Sequence, residues 1–485
     1  MIGVRRALLV TFAERYVTLG TNFVTLSVLS RLLTPAEIGV SILGLAGITL
    51  AQAARHFTEP IYLIQHKDLR AGHVSSFVTI QIAVAILIFA AIVSLAPYIA
   101  RAYGTPELVS YLHVVSLCIL AQAVSEPIAA LMRRDMLFAR LAAINMLGVT
   151  ANSVTSIVLA LLGFSFMSIA WATLGSALLV SLLSLAWWRD PTIFRPALSE
   201  WREVASFGGY NGANMFLYRI SEALPTLILG RILSVDAVAM FGRSISICQL
   251  PDKVIMGGAS TVMLPAFSSG VRSGTDLRQA YLRAVEYIAA FQWPAFIVLA
   301  ILAYPIVRIV LGDQWLSIVP LVQVMAIASL FAFSAELNYP VLVAVGAIRD
   351  VFLRSLIIWP ISAIAVVAAS VFGLKALAAS WLFVIPFQAL VSLLFVRQYI
   401  DFEWHDLAKA ARKPAVIAAC SACGPLAVVL EAGTSQISLQ STVLAIVSSA
   451  VGWIMAVCLS DHPLAADLRL VVSALRERAI ARQPQ

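Results

Sequence analysis

The chain has 485 residues, 61% of them hydrophobic and 12% charged, with a formal net charge of +8. A soluble domain carries about 25% charged residues; half that fraction cannot coat a water-facing surface, which excludes a soluble enzyme or nucleic-acid-binding body. The five cysteines, Cys118, Cys248, Cys420, Cys423 and Cys458, are odd in number and sit in apolar runs, which excludes a disulfide framework.

Apolar runs in chain order fall near 8–31, 37–56, 75–99, 109–130, 140–163, 166–187, 204–231, 236–262, 284–311, 317–337, 350–372, 375–397, 414–430 and 441–460. They reach or approach the roughly 20 residues that cross a bilayer. Backbone polar groups in lipid must bond internally, and these runs lack the apolar–polar alternation of barrel strands. The expectation is an all-α polytopic membrane protein with about 14 transmembrane helices. Glu14 and Arg15 interrupt the first run too early for a signal peptide, so it reads as a retained span. Pro251, in the eighth run, is expected to bend its helix.

Lysine and arginine alternate strongly between the two sets of connections. One set holds only Arg31, Arg101, Arg231, Arg308 and Lys375, and the other holds most of the rest. By the positive-inside rule both termini are cytoplasmic. Topology thus accounts for the net charge, and no nucleic acid is needed to explain it. The connections are short and leave no room for a soluble catalytic domain. Trp171, Trp187, Trp188, Trp201, Trp315 and Trp404 suit the aromatic belts at the membrane surfaces.

Leu29-Ser-Arg31-Leu-Leu33-Thr-Pro ends the first run, and Leu229-Gly-Arg231-Ile-Leu233-Ser-Val ends the seventh, at an offset of 200. Six spans lie between the copies, so both point the same way through the membrane. Parallel repeats of this kind build two-lobed transporters with a site between the lobes. The implied division is 1–203 and 204–400 as six-helix lobes, with two further helices and a tail over 401–485.

Five basic residues fall inside predicted spans: Arg15, Arg55, Arg219, Arg243 and Lys253. A centred Arg or Lys is unfavourable by about 2.5–3.5 kcal/mol on insertion scales, so each needs a partner or a water-filled cavity. Gln52, Arg55, His56 and Glu59 have the spacing of one helix face, and Asn211, Asn214, Tyr218 and Glu222 form a polar stripe beside Arg219. The bland reading pairs Arg15 with Glu14, Arg55 with Glu59 and Arg219 with Glu222. Basic groups outnumber those acids, and the surplus favours a cavity that receives an anion. Diphosphate is a good candidate, because guanidinium forks bond phosphate oxygens bidentately. Glu126 and Glu336 read as boundary charges, Asn145 and Asn152 as links between helices, and Cys420-x-x-Cys423 as buried packing rather than metal or redox chemistry. There is no P-loop, HExxH or nucleophile elbow. No catalytic residue, metal or cofactor is expected.

Four stretches carry a family likeness: Ser30-Arg-Leu-Leu-Thr-Pro-Ala-Glu-Ile-Gly39; Leu63-Ile-Gln-His-Lys-Asp-Leu69 with Leu95-Ala-Pro-Tyr-Ile-Ala-Arg-Ala-Tyr-Gly104; Ala130-Leu-Met-Arg-Arg-Asp-Met-Leu-Phe138; and Gly230-Arg-Ile-Leu-Ser-Val-Asp-Ala-Val-Ala-Met-Phe-Gly242, followed by Leu264-Pro-Ala-Phe-Ser268. On these the chain resembles the polysaccharide-transporter branch of the multidrug/oligosaccharidyl-lipid/polysaccharide exporter superfamily, which includes O-antigen and exopolysaccharide flippases. It departs from the branch at Ala239 and Phe241, where Gly and Tyr are frequent. The resemblance implies two six-helix lobes in a V, with cargo on a polyprenyl diphosphate moved from the cytoplasmic to the periplasmic leaflet of the bacterial inner membrane by alternating access. It implies that Arg15, Arg55, Arg219, Arg243 and Lys253 hold the diphosphate, and that transport is coupled to an ion gradient, with Glu222 as candidate coupling site. Expected partners are membrane lipids, a polysaccharide polymerase and assembly proteins. The alternatives are an ion-coupled drug or metabolite antiporter, which would favour an acidic cavity, a membrane glycosyltransferase or polymerase, which would need acids in a sizeable outer loop, and a scaffold without transport.

Overall fold

The structure is a computed structural model. It describes residues 2–53, 55, 60–66, 68–188, 190–433, 437–460 and 462–466; the side chains at 2–9, 11, 61, 65, 205–215, 217, 221, 256–262, 336 and 432 lie outside the described set. Among the described residues the regular structure is all helix, with short 3-10 turns. Eleven helical stretches there are long and apolar enough to cross a membrane, and the chain is a multi-pass membrane protein. The expected spans at 8–31, 204–231 and 236–262 are helical as well, but charged and amide residues along their middles lower their hydropathy.

The chain divides into two compact units. The first comprises Met1–Arg243 with Ser355–Leu374. It contains α1 (Ile2–Leu32), α2 (Pro35–Ala53), the short α3 (Ile61–Gln65), α4 (Ala71–Tyr103), α5 (Glu107–Arg134), α6 (Phe138–Leu161), α7 (Met167–Trp187), α8 (Trp201–Ile232) and most of α9 (Val235–Cys248). Its core gathers Tyr62, Leu63, Phe77, Val78, Ile128, Met132 and Ile144. Arg134 donates to the carbonyls of Leu63 (2.9 Å) and His66 (2.7 Å), satisfying acceptors that the five-residue α3 leaves open.

The repeat halves end their helices at equivalent places: α1 stops at Leu32 and α8 at Ile232, while α2 starts at Pro35 and α9 at Val235. Thr34 Oγ1 accepts from Glu37 N at 3.4 Å and Ser234 Oγ from Ala237 N at 3.1 Å, so both copies use a hydroxyl cap. The motif glycines sit where helices touch. A Cβ on Gly39 would run into the Val235 carbonyl, and one on Gly242 would lie 2.8 Å from Ile42 Cδ1. Small residues let membrane helices approach closely enough for dispersion to hold them.

The second unit comprises Ser244–Arg354 with Lys375–Gln485. It holds α10 (Leu250–Ser273), α11 (Leu277–Ile301), α12 (Ala303–Val310), α13 (Val319–Ser329), α14 (Ala335–Ala344), the start of α15 (Ile348–Ser370), α16 (Leu374–Arg397), α17 (Trp404–Ala432) and α18 (Leu439–Leu459). Its core includes Phe267, Tyr281, Val285, Leu337, Leu342, Val396 and Phe402. Tyr281 donates to Asn338 Oδ1 at 2.9 Å within it.

Several expectations change in detail. The span expected at 236–262 is two helices interrupted at Gln249, and Pro251 lies in the first turn of α10, where its missing N–H has no helical partner to lose. The second span ends at Ala53, so Arg55 stands beyond the helix rather than on a shared face with Gln52; His56 and Glu59 lie outside the described residues. Trp315, expected in an interfacial belt, is fully buried in a 3-10 turn.

Candidate functional site

The predicted basic residues occupy three kinds of surroundings. Arg15 is open on α1; the acid beside it, Glu14, accepts from Asn145 Nδ2 on α6 at 2.7 Å, so Asn145 links two helices. Lys253 is open on α10. Arg243 is half-buried on α9, with its Nε shielded from solvent.

Arg55 is held inside the first unit. Its side chain is 10% exposed and pairs with Glu126 of α5, which is 34% exposed. Gln122, one turn before Glu126, accepts from Gln52 Nε2 at 3.0 Å and from Arg55 Nη1 at 3.5 Å. Gln81 of α4 donates to Glu126 Oε2 at 2.9 Å. Helices α2, α4 and α5 thus contribute three amides and a carboxylate, and Arg55 just beyond α2 a guanidinium, to one polar cluster in an apolar bundle. Low polarity strengthens the bonds such a network makes, though Gln81 Oε1 is a buried acceptor with no hydrogen-bond partner. Glu126, expected as a boundary charge, is thus an ion-pair partner within the first unit. Only the packing of α5 against α2 brings it to Arg55; Glu59, the partner expected from the sequence, lies outside the described residues. The signal in the sequence was Gln52 and Gln81 in two apolar helices, with Gln122 and Glu126 one turn apart on a third.

Arg219 and Glu222 lie on α8. Arg219 Nη1 donates to Glu222 Oε2 at 2.9 Å, with the side chains 37% and 50% exposed. The guanidinium also lies over the Tyr218 ring, 5.8 Å from its centroid. Tyr218 in turn meets Trp359 edge to face at 5.5 Å. Arg219 and Glu222 are thus the two sequence-predicted residues that the structure brings into an ion pair with each other. The side chains of Asn211 and Asn214 lie outside the described set.

The sequence reading passed over two further groups. Asp252, beside Lys253, accepts from Gln292 Nε2 on α11 at 2.6 Å. Glu203, at the start of α8, accepts from His66 Nε2 at 2.7 Å and lies 3.4 Å from His73 Nε2. The hydrogen bond from His66 comes first in holding the Glu203 carboxyl below its ordinary range. Cys420 and Cys423 are both exposed on α17, not buried as expected.

The polysaccharide biosynthesis protein family matches residues 28–320. The succinoglycan biosynthesis transport protein ExoT of Rhizobium meliloti (strain 1021) is 24% identical over 339 residues, 68% of this chain and 67% of the relative. The lipopolysaccharide biosynthesis protein WzxC of Escherichia coli (strain K12) is 22% identical over 318 residues, 65% of this chain and 64% of the relative. The teichuronic acid biosynthesis protein TuaB of Bacillus subtilis (strain 168) is 22% identical over 292 residues, 59% of each chain. The chain thus spans less than two thirds of the latter two. Among solved structures, the lipid II flippase MurJ in an inward closed conformation is similar with a TM-score of 0.71 at 12% identity, over 94% of this chain and 98% of that one. An inward-facing multidrug resistance MATE family transporter of the MOP superfamily follows at 0.60 and 16%, over 81% and 98%. These likenesses give the fold.

Proposed function

The chain belongs to the polysaccharide biosynthesis protein family, and from that premise we propose that it is a flippase for oligosaccharide carried on a polyprenyl diphosphate. The cargo passes from the cytoplasmic to the periplasmic leaflet of a bacterial inner membrane by alternating access. One observation carries the reading: membrane helices of this chain keep guanidinium and amide groups where hydrocarbon would favour neither. Arg219 over Tyr218, with Trp359 beside it, offers a cation for phosphate and ring faces for sugar. The relatives are named for the biosynthesis of three different glycans, one of them for transport, so the reading commits to glycan export rather than to one sugar.

Diphosphate and sugar hydroxyls cannot cross about 30 Å of hydrocarbon unaided. Spread cations, Arg15, Arg55, Arg219, Arg243 and Lys253, give the head group successive modest holds, while the polyprenyl tail stays in lipid. Arg55 is already engaged by Glu126, so cargo reaches it by exchange with that carboxylate. The moving parts of this reading are the lobes 1–203 and 204–400, with 401–485 added. Both termini are cytoplasmic; reporters fused after Gly104, Phe164 and Gly433 then read periplasmic, and one after Ser273 cytoplasmic. A polymerase and assembly proteins receive the flipped unit.

Deleting the gene tests the function. The expected outcome is polyprenyl-diphosphate-linked sugar trapped in the cytoplasmic leaflet and less surface polysaccharide. Unchanged polysaccharide, with no paralogue present, favours an ion-coupled antiporter on the same fold.

A further inference from the structure

Asp252 is the acid that the set of cations leaves unexplained. It stands in the first turn of α10, and its Oδ1 accepts from Gln292 Nε2 at 2.6 Å. Gln292 is fully buried, and its Oε1 is a buried acceptor with no hydrogen-bond partner. Among the described residues no Lys or Arg reaches ion-pair distance of Asp252. The thiol of Cys248, at the end of α9, is the titratable group set against it, and that thiol spends its weak donor on the Val322 carbonyl at 3.6 Å. Lys253, next in the chain, is open. On α14, the other helix packed on α10, the charged residue is Glu336, whose side chain lies outside the described set.

An ionised Asp252 is poorly served here. A neutral amide cannot balance the charge of a half-buried carboxylate, and the orphan Gln292 carbonyl places a second acceptor near it. A protonated Asp252 resolves both problems. Its O–H can donate to Gln292 Oε1 while Gln292 N–H donates to the carboxyl C=O, closing a cyclic acid–amide pair with two hydrogen bonds. Exchanging the amide's N and O leads to the same end, since either orientation leaves one amide group idle unless the acid carries a proton. We infer that Asp252 and Gln292 form a proton-binding site inside the second unit. The proton comes from water, and the bond formed is the carboxyl O–H. Resting on the flippase reading, Asp252 is also the group through which a proton gradient drives transport; Glu222 is already paired with Arg219.

Infrared difference spectra of the purified full chain in nanodiscs, titrated with pH and without cargo, test the site. The protonated-carboxyl C=O band is expected to vanish in Asp252→Asn and to shift in Gln292→Leu, which removes the amide partner and keeps the acid. A spectrum in which Asp252→Asn removes no such band overturns the site. Proteoliposomes with a fluorescent polyprenyl-diphosphate sugar test the coupling: an imposed pH gradient speeds cargo movement by the wild type, and Asp252→Asn loses that response. A wild-type gradient response in Asp252→Asn overturns the coupling role. Should the wild type move no cargo under any gradient, the flippase reading fails, and with it the coupling role, while the cargo-free spectra still decide the proton site.

Discussion

The α1–α2 junction and the α8–α9 junction are built alike and differ in the polar chemistry around them. Both end a helix two residues before a hydroxyl cap, at Thr34 and Ser234. Beyond the first hairpin, Arg55 is locked to Glu126 from α5, with Gln122 and Gln81 around the pair. In the second, Arg219 pairs with Glu222 one turn away on its own helix, on an open face. The repeat preserves what a helix end needs locally. Neutralising a charge is left to whichever helix packs alongside, and there the halves diverge.

The largest effect should come from breaking the enclosed pair. Glu126→Ala leaves Arg55 buried without its carboxylate, a change that typically costs about 3–5 kcal/mol. Membrane abundance and thermal stability in detergent should both fall, and Arg55→Ala with Glu126→Ala should recover most of the loss. No loss in the single variant would dissolve the contrast between the hairpins.

Next comes the helix contact. Gly39→Ala drives a methyl into the Val235 backbone, and overpacking of this kind costs about 1–3 kcal/mol. The offset-related position is already Ala239, fully buried, so the two copies are not interchangeable there. Equal thermal stability of Gly39→Ala and wild type would place the helices farther apart than described.

Removing the caps should matter about equally in the two copies: Thr34→Ala and Ser234→Ala each cost about 1 kcal/mol, read as a shift in thermal midpoint. Unequal shifts would show that the repeat likeness stops at sequence.

The open pair should matter least for stability, since half-exposed ion pairs contribute about 0–1 kcal/mol. Arg219→Ala should instead lower flipping at normal abundance. If adding Glu222→Ala restores flipping, Arg219 serves only to neutralise its neighbour and leaves the cargo path.

A pH scan addresses the start of α8. Glu203 has a lowered pKa in the folded chain, chiefly through His66. Its contribution is present above the ordinary carboxylate range and is lost as pH falls through the lowered value. The thermal midpoint of the wild type should therefore drop more on acidification than that of Glu203→Gln; parallel curves would remove the link.

Much of this was legible in the chain. Apolar runs placed the helices, the offset of 200 placed the matching caps, and Arg219–Glu222 was visible as an i, i+3 pair. Glu126 was not, because 71 residues separate it from Arg55, and nothing local distinguishes an acid at a membrane edge from one turned inward. Asp252 was hidden beside Lys253: adjacent residues point different ways on a helix, so a neighbour in sequence is no partner in space. The family glycines were visible as motifs, yet their role as contact points needed the facing helix.

The sequence by itself determined that this is an all-helical membrane protein, roughly where its spans lie, and which family it joins. Those follow from properties of single segments: hydropathy over a span, a hydroxyl at a cap, a short motif. Tertiary structure alone decided that Arg55 meets Glu126 and that Asp252 meets an amide in place of a cation. Such pairings depend on distances between helices far apart in the chain, and hydrocarbon leaves a buried charge to find its partner within the protein.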